Sequence, residues 1–128
     1  MSTKKHRILY VEDYPVIKIM YEEVLKSSGF DVDAVNDGQL ALEKLADNEY
    51  DIILLDLLLP QITGLEFLRE FIKKDNKATV VVLTDFDKPE TVQDVKNLGV
   101  KHYWIKVENT PNVVAKRLHD LLGDKNND

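Results

Sequence analysis

Hydrophobic residues along the chain follow two alternating patterns. Short runs rich in apolar residues, which are typical of β-strands, cover residues 8–11, 32–35, 52–55, 80–83 and 103–105. Between and after these runs, apolar residues recur every three or four positions, the spacing of one helix face, over residues 17–25, 42–46, 65–72, 92–95 and 114–122. Gly29 and Gly99 are stop signals for the first and fourth of these segments, and Thr110 with Pro111 forms a helix start before the fifth. The pattern predicts five strands and five helices in strict alternation.

That alternation predicts a parallel sheet with helices on both faces, joined by right-handed crossovers. Residues 52–55 and 80–83 are apolar at every position, as expected of central strands that are buried on both faces. Residues 31–35 instead alternate between polar and apolar side chains, which predicts an edge strand. The expected fold is an open, doubly wound α/β sheet.

Composition narrows the class of protein. The chain has 128 residues, of which 44% are hydrophobic and 31% charged, and this fits one domain that folds on its own. A net charge of -6 argues against direct binding to nucleic acid, and we interpret the basic start (Lys4, Lys5, His6 and Arg7) as a short solvated tail. The absence of cysteine excludes disulfides and thiolate metal sites. No apolar stretch is long enough for a signal peptide core or a membrane span, so the cytoplasm is the expected location.

Polar residues whose side chains could take part in a reaction follow directly after four of the five predicted strands. Glu12 and Asp13 follow the first, Asp56 the third, Thr84 the fourth and Lys106 the fifth. Because the carboxyl ends of parallel strands meet at one edge of a sheet, and ligands bind there, we expect these residues to converge on one pocket.

The charges in that pocket predict its chemistry. Three neighbouring carboxylates repel one another and need a counter-charge, and Mg²⁺ suits a site that offers one or two carboxylates and leaves room for phosphate oxygens. A divalent ion, Lys106 and the Thr84 hydroxyl together would form a cradle for a phosphoryl group. Asp56, at the centre, is the natural nucleophile, because aspartyl phosphates are a known covalent route.

Neighbouring residues extend these positions into four short motifs. They are Glu12-Asp13, Asp56 followed by Leu57-Leu58-Leu59-Pro60 and Gly64, Thr84, and Tyr103-Trp104-Ile105-Lys106. Together, over about residues 7–122, they resemble the receiver domain of two-component response regulators. The resemblance implies a flavodoxin-like α/β fold, with strand order 2-1-3-4-5 and five helices. It also implies a single receiver domain over residues 1–128, with flexible tails at 1–6 and 123–128.

The resemblance also implies roles for individual residues. Asp56 would accept phosphate from a sensor histidine kinase or a histidine phosphotransfer protein, as a stoichiometric phosphoacceptor and not as an enzyme. Asp13 and Asp56 would bind Mg²⁺ directly, with the backbone carbonyl of Leu58 as the third protein ligand and Glu12 acting through water. Lys106 would pair with Asp56 and then with the phosphoryl group.

The resemblance also implies a conformational change that a downstream partner would recognise. Thr84 would move to bond a phosphoryl oxygen, and Tyr103 would rotate inward behind it. This rotation would change the face formed by the fourth helix, the fifth strand and the fifth helix, where a protein target or a second copy of the chain would bind.

Four positions depart from the commonest receiver sequence. Val107 stands where a proline in a cis bond usually follows the lysine, so either the Lys106–Val107 bond is a strained cis bond or it is trans and Lys106 is placed differently. Asp85 follows Thr84 in place of a small residue, and it would oppose a phosphoryl group if it faced the pocket and do nothing if it faced solvent. Leu58 and Phe86 are large and apolar, and we expect them to slow hydrolysis of the acyl phosphate by walling it off from water.

Other functions remain open at the level of sequence. Because the chain ends just past the fifth helix, we expect a stand-alone receiver. A pseudo-receiver that binds proteins without phosphorylation is the first alternative, and an aspartyl-phosphate phosphatase is the second, although Leu58 occupies the place of its usual second acid. A flavodoxin is disfavoured, because no loop at a strand end is rich in Ser, Thr and Gly.

Several other residues are given no functional role. No chemistry is assigned to His6, His102 and His119. Trp104 is interpreted as a packing residue, and Lys73, Lys74 and Lys77 are interpreted as a solvated loop.

Overall fold

Five strands alternate with five α-helices in the computed structural model, which describes residues 5–123. The strands are β1 (Arg7–Val11), β2 (Asp31–Val35), β3 (Ile52–Leu55), β4 (Thr79–Thr84) and β5 (His102–Ile105). The helices are α1 (Pro15–Ser27), α2 (Gly38–Asp47), α3 (Gly64–Phe71), α4 (Pro89–Asn97) and α5 (Pro111–Leu121), and two short 3₁₀ turns cover Ile72–Lys74 and Lys106–Glu108. Most of the predicted terminal tails, residues 1–4 and 124–128, lies outside the described residues.

The five strands form one parallel sheet in the order β2-β1-β3-β4-β5. This confirms the predicted fold class and strand order, and it places β2 at an edge as its alternating sequence predicts. Val11, the last residue of β1, pairs with Val35 on one side and with Leu55 on the other, so three neighbouring strands end together. The residues that follow these strands therefore meet at one edge of the sheet.

Alternate residues of each strand pack into two separate cores. Ile8 and Tyr10 of β1 belong to the core beneath α1 and α5, whereas Leu9 and Val11 belong to the core beneath α2, α3 and α4. All four residues of β3 are buried, because helices cover both faces of the sheet at its centre. Because β3 is packed on both faces, the point where it ends at the edge of the sheet is fixed. The position of Asp56, the next residue, is therefore fixed as well.

One local expectation was wrong, one was partly right and one was confirmed. Arg7 is part of β1 and not of a solvated tail, since its guanidinium pairs with Asp31 at 3.2 Å and with Asp33 at 3.1 Å. The lysines interpreted as a solvated loop are exposed, but Lys73 and Lys74 lie in the 3₁₀ turn that continues α3. Thr110 is the N-cap residue of α5 and Pro111 its first residue, as predicted, although the Thr110 side chain makes no capping hydrogen bond.

Over residues 5–123, no helix is both long enough and apolar enough to cross a membrane.

Candidate functional site

Asp56 is a buried carboxylate at the carboxyl end of β3. Its backbone N–H donates to the Val11 carbonyl at 3.1 Å, which continues the pairing with β1, and only 5% of the residue is exposed. Oδ1 accepts hydrogen bonds from the Leu58 N–H at 3.1 Å and from the Thr84 hydroxyl at 2.7 Å. Oδ2 lies 2.8 Å from Nζ of Lys106. Donors from three different segments of the chain therefore converge on one carboxylate.

Glu12 lies beside Asp56, directly after β1. It is 2% exposed, and its Oε1 lies 2.7 Å from Nζ of Lys106. Its Oε2 accepts the backbone N–H of Tyr14 at 3.1 Å, just before α1 begins at Pro15. Glu12 and Asp56 therefore share one ammonium group, a contact that the sequence interpretation of Glu12 as a ligand through water did not include.

Lys106 reaches both carboxylates from the 3₁₀ turn that follows β5, and its side chain is 13% exposed. Burial lowers the pKa of Lys106, but hydrogen bonds and charges from Asp56 and Glu12 raise it more, so the pKa lies above its usual value of 10.5. No peptide bond among residues 5–123 is cis, so the bond between Lys106 and Val107 is trans. Lys106 is nevertheless within hydrogen-bonding distance of Asp56.

Thr84 and Tyr103 are linked through the loop that follows β4. Thr84 is fully buried, and its hydroxyl both donates to Asp56 and accepts the N–H of Phe86 at 3.3 Å. Tyr103 is half-buried against the core, and its hydroxyl donates to the backbone carbonyl of Phe86. Both hydroxyl groups therefore bond to the backbone of Phe86, and that of Thr84 also bonds to Asp56.

The residues that depart from the receiver pattern surround this network. Asp85 is exposed, and its Oδ1 accepts the Val107 N–H at 2.8 Å, so it neither faces the pocket nor stands free in solvent. Leu58 is 58% exposed beside Asp56, and Phe86 is half-buried. Asp13 is exposed and stands outside the hydrogen-bond network around Asp56.

Comparison with known proteins gives the family. The family model described as the response regulator receiver domain matches residues 8–117. The chain belongs to this family. It is 36% identical to the response regulator ArlR of Staphylococcus saprophyticus over 112 residues, which are 86% of this chain and 50% of that protein. It is 28% identical over 102 residues to the chemotaxis protein CheY of Bacillus subtilis, covering 79% of this chain and 85% of that protein. The receiver chain thus spans about half the length of ArlR and most of the length of CheY.

Solved structures support the receiver fold independently. A CheY-like receiver domain protein from Methanospirillum hungatei superposes with a TM-score of 0.87, at 22% identity, over 94% of this chain and 96% of that one. The chemotaxis response regulator CheY4 of Vibrio cholerae superposes with a TM-score of 0.81, at 26% identity, over 92% of this chain and 99% of that one. This chain is a receiver domain of the family found in the response regulators of two-component systems.

The oxygen donors of this receiver suit a hard divalent cation. Within residues 5–123, no three His, Cys, Asp or Glu side chains are arranged to hold a metal ion as they stand. Mg²⁺ does not need three, because it binds through one or two carboxylates and completes its shell with water and phosphate oxygens. Glu12 and Asp56 lie close together, since both contact the same nitrogen, and Asp13, the residue after Glu12, is exposed in the loop before α1. The donor set therefore fits Mg²⁺ in chemistry.

Proposed function

We propose that Asp56 of this receiver accepts a phosphoryl group from the phosphohistidine of a sensor histidine kinase or a histidine phosphotransfer protein. The observation that carries the proposal is the convergence of Leu58, Thr84 and Lys106 on the two oxygens of Asp56. A buried carboxylate with donors of this kind around it is placed to react, because the same donors can hold the oxygens of an incoming phosphoryl group.

The transfer exchanges one bond to phosphorus for another. An oxygen of the Asp56 carboxylate forms a bond to phosphorus while the phosphorus–nitrogen bond of the donor breaks. The bonding electron pair stays on the imidazole nitrogen, which takes up a proton. As the attacking oxygen of Asp56 becomes engaged, Lys106 turns to the phosphoryl oxygens, and Glu12 keeps the ammonium group in place because it holds Lys106 independently of Asp56.

Asp13, Asp56 and the backbone carbonyl of Leu58 would hold Mg²⁺, with Glu12 acting through water. The ion would neutralise negative charge on the phosphoryl oxygens. The ion pair between Lys106 and Glu12 supports this division of roles, because it keeps one positive charge fixed whether or not the ion is bound.

The output of the receiver would be a change in the face formed by α4, β5 and α5. Thr84 and Tyr103 both contact the loop that joins β4 to α4, through the N–H and the carbonyl of Phe86. A shift of Thr84 towards a phosphoryl oxygen would therefore pull on the segment that Tyr103 also holds. We propose that a downstream protein, or a second copy of the receiver, binds this face.

One observation favours a second candidate, a pseudo-receiver that binds its partner without phosphorylation. Asp85 and Val107, which depart from the commonest receiver sequence beside Thr84 and Lys106, are joined to each other by a hydrogen bond of 2.8 Å. A hydrolase has no comparable support, because Leu58 offers no acid or base two residues after Asp56.

The mass of the intact protein after incubation with acetyl phosphate and Mg²⁺ separates these candidates. A phosphoacceptor gains one phosphoryl group, the gain is absent in Asp56→Asn, and it persists in the control Asp47→Asn, which changes an exposed carboxylate on α2. No gain in the wild type, even with the cognate kinase, would support the pseudo-receiver.

A further inference from the structure

A hydrogen bond joins two loops beside Asp56. The Asp85 carboxylate, on the loop after β4, accepts the backbone N–H of Val107, on the turn after β5, at 2.8 Å. The two residues are neighbours in sequence of Thr84 and Lys106, the two side chains that reach Asp56 from these loops. The bond therefore joins the loop that carries Thr84 to the turn that carries Lys106, and both of these side chains contact Asp56.

The solvent-facing side of the turn that carries Lys106, at Val107, has few other contacts. Val107 is 78% exposed, so its side chain contributes little packing. The 3₁₀ turn Lys106–Glu108 is closed by a bond from the Asn109 N–H to the Lys106 carbonyl at 3.0 Å. The N–H groups at the start of a helical turn have no acceptor within it, so the Val107 N–H depends on a partner from elsewhere.

The inner side of the same turn is anchored separately by Asn109, which is 5% exposed. Its side-chain amide donates to the Ile105 carbonyl at 2.8 Å, and its backbone carbonyl accepts the Tyr21 hydroxyl at 2.7 Å. These bonds hold the turn at Ile105 and Asn109, and the Asp85 carboxylate holds it between them, at the Val107 N–H. A charged acceptor makes a stronger hydrogen bond than a neutral one.

We propose that Asp85 is a positioning residue for phosphoryl transfer, which holds the Val107 N–H and thereby keeps Lys106 aligned with Asp56. This inference rests on the proposed function of Asp56. Asp85 acts through the backbone of Val107 and does not itself touch the reacting atoms.

The role of the hydrogen bond can be separated from the role of the charge. If Asp85 acted only as a negative charge near the site, any neutral replacement would speed phosphorylation, because it would reduce repulsion of the donor. If it acts by accepting the Val107 N–H, Asp85→Asn keeps an acceptor oxygen and stays within about twofold of the wild-type rate. Asp85→Ala loses the acceptor, and the initial rate with acetyl phosphate falls about tenfold because Lys106 is misaligned.

Removal of the donor, the Val107 N–H, provides a second test. Val107→Pro lacks the N–H, so Asp85→Ala changes the rate much less in a Val107→Pro background than in the wild type. Asp87→Ala is the matched control, because it removes an exposed carboxylate from the same loop that is not the acceptor of this bond. Its rate stays near that of the wild type.

Two measurements by NMR do not depend on phosphorylation. In Asp85→Ala, the Val107 amide exchanges its hydrogen about tenfold faster than in the wild type. The chemical shift of the Lys106 Cε also changes, because the ammonium group moves relative to Asp56 and Glu12. If the wild type is never phosphorylated but Asp85→Ala produces both NMR changes, the proposed function is contradicted and the positioning role is supported. The positioning role is overturned if Asp85→Ala leaves the Lys106 shift and Val107 exchange unchanged, or if Asp85→Ala and Asp85→Asn both react faster than the wild type.

Discussion

The ammonium group of Lys106 lies 2.7 Å from Oε1 of Glu12, a residue at the opposite end of the chain. The same group lies 2.8 Å from Asp56, so one positive charge balances two buried carboxylates. The local charge is therefore negative, and an added cation would be attracted to it. In the proposed phosphoryl transfer, Glu12 would also keep Lys106 in place when an oxygen of Asp56 reacts.

Replacement of Lys106 tests this charge balance. Lys106→Met leaves Glu12 and Asp56 buried beside each other without a counter-charge, and we expect the free energy of unfolding to fall by about 3 kcal/mol. Mg²⁺ restores part of the loss, because it supplies positive charge to the same carboxylates. Urea denaturation with and without Mg²⁺ measures both effects. The exposed residue Lys101 provides the control variant Lys101→Met, which changes stability by less than about 0.5 kcal/mol. Equal stabilities of the two variants would contradict the account.

Stability at high pH tests the environment of Tyr10. Burial raises the pKa of the Tyr10 hydroxyl well above its usual value of 10.0, and the charge of Glu12 raises it further. Because the unfolded chain loses this proton at a lower pH than the folded chain, the stabilisation is complete below pH 10 and is lost as the pH rises above it. The raised pKa of Lys106 acts in the same direction above 10.5.

Urea denaturation at a series of alkaline pH values measures this loss. The free energy of unfolding of the wild type should fall by about 1.4 kcal/mol per pH unit for each group that titrates in this way. In Tyr10→Phe the decline should be smaller by the contribution of one group. Parallel declines in the wild type and Tyr10→Phe would show that the folded environment does not hold the Tyr10 proton.

The sequence predicted the fold and the place of Asp56 for a physical reason. A run that is apolar at every position, such as residues 52–55, must be buried on both faces, and the polar residue that ends it must lie at the edge of the sheet. The alternation in residues 31–35 identified the edge strand in the same way.

The side-chain contacts between distant segments could not be predicted in this way. Periodicity reports which face or edge a residue occupies, but not which rotamer it adopts or which partner it contacts. The ion pair of Glu12 with Lys106 spans 94 positions, and the bond from Val107 to Asp85 joins two loops. Both depend on the relative placement of β1, β4 and β5, which appears only when the sheet is assembled.

Gly64 tests how closely α3 must approach the chain segment that carries Asp56. A Cβ at Gly64 would lie 2.6 Å from Cα of Leu57 and 2.7 Å from the Asp56 carbonyl oxygen, so Gly64→Ala must displace backbone. We expect a loss of about 2 kcal/mol in stability and slower phosphorylation.

Gly38→Ala is a matched control, because Gly38 and Gly64 are both the first residue of a helix. A Cβ at Gly38 would lie 2.8 Å from both Cδ1 and Cγ1 of Ile62, so it meets a side chain that can move and not backbone. The gain in helix propensity offsets part of the cost, so the stability should change by less than about 1 kcal/mol. If Gly38→Ala costs as much as Gly64→Ala, the close approach at Asp56 is not what makes Gly64 necessary.

Replacement of Leu58 tests whether this side chain controls the lifetime of the acyl phosphate on Asp56. Its side chain is 58% exposed next to Asp56, where it offers no group that could orient water. In Leu58→Asn the amide can hydrogen-bond an attacking water, and we expect the phosphorylated form to lose its label about tenfold faster. Leu40→Asn, at a 40% exposed leucine on α2, should leave the rate unchanged. Equal rates for the wild type and Leu58→Asn would exclude this role.

The residue that carries the phosphoryl group can be identified directly. Borohydride reduction converts an aspartyl phosphate to homoserine, and peptide mass mapping then identifies the modified position. After phosphorylation by the kinase or by acetyl phosphate, we predict homoserine at position 56 and at no other aspartate. Homoserine at another position, or none in protein treated with its active cognate kinase, would contradict the account.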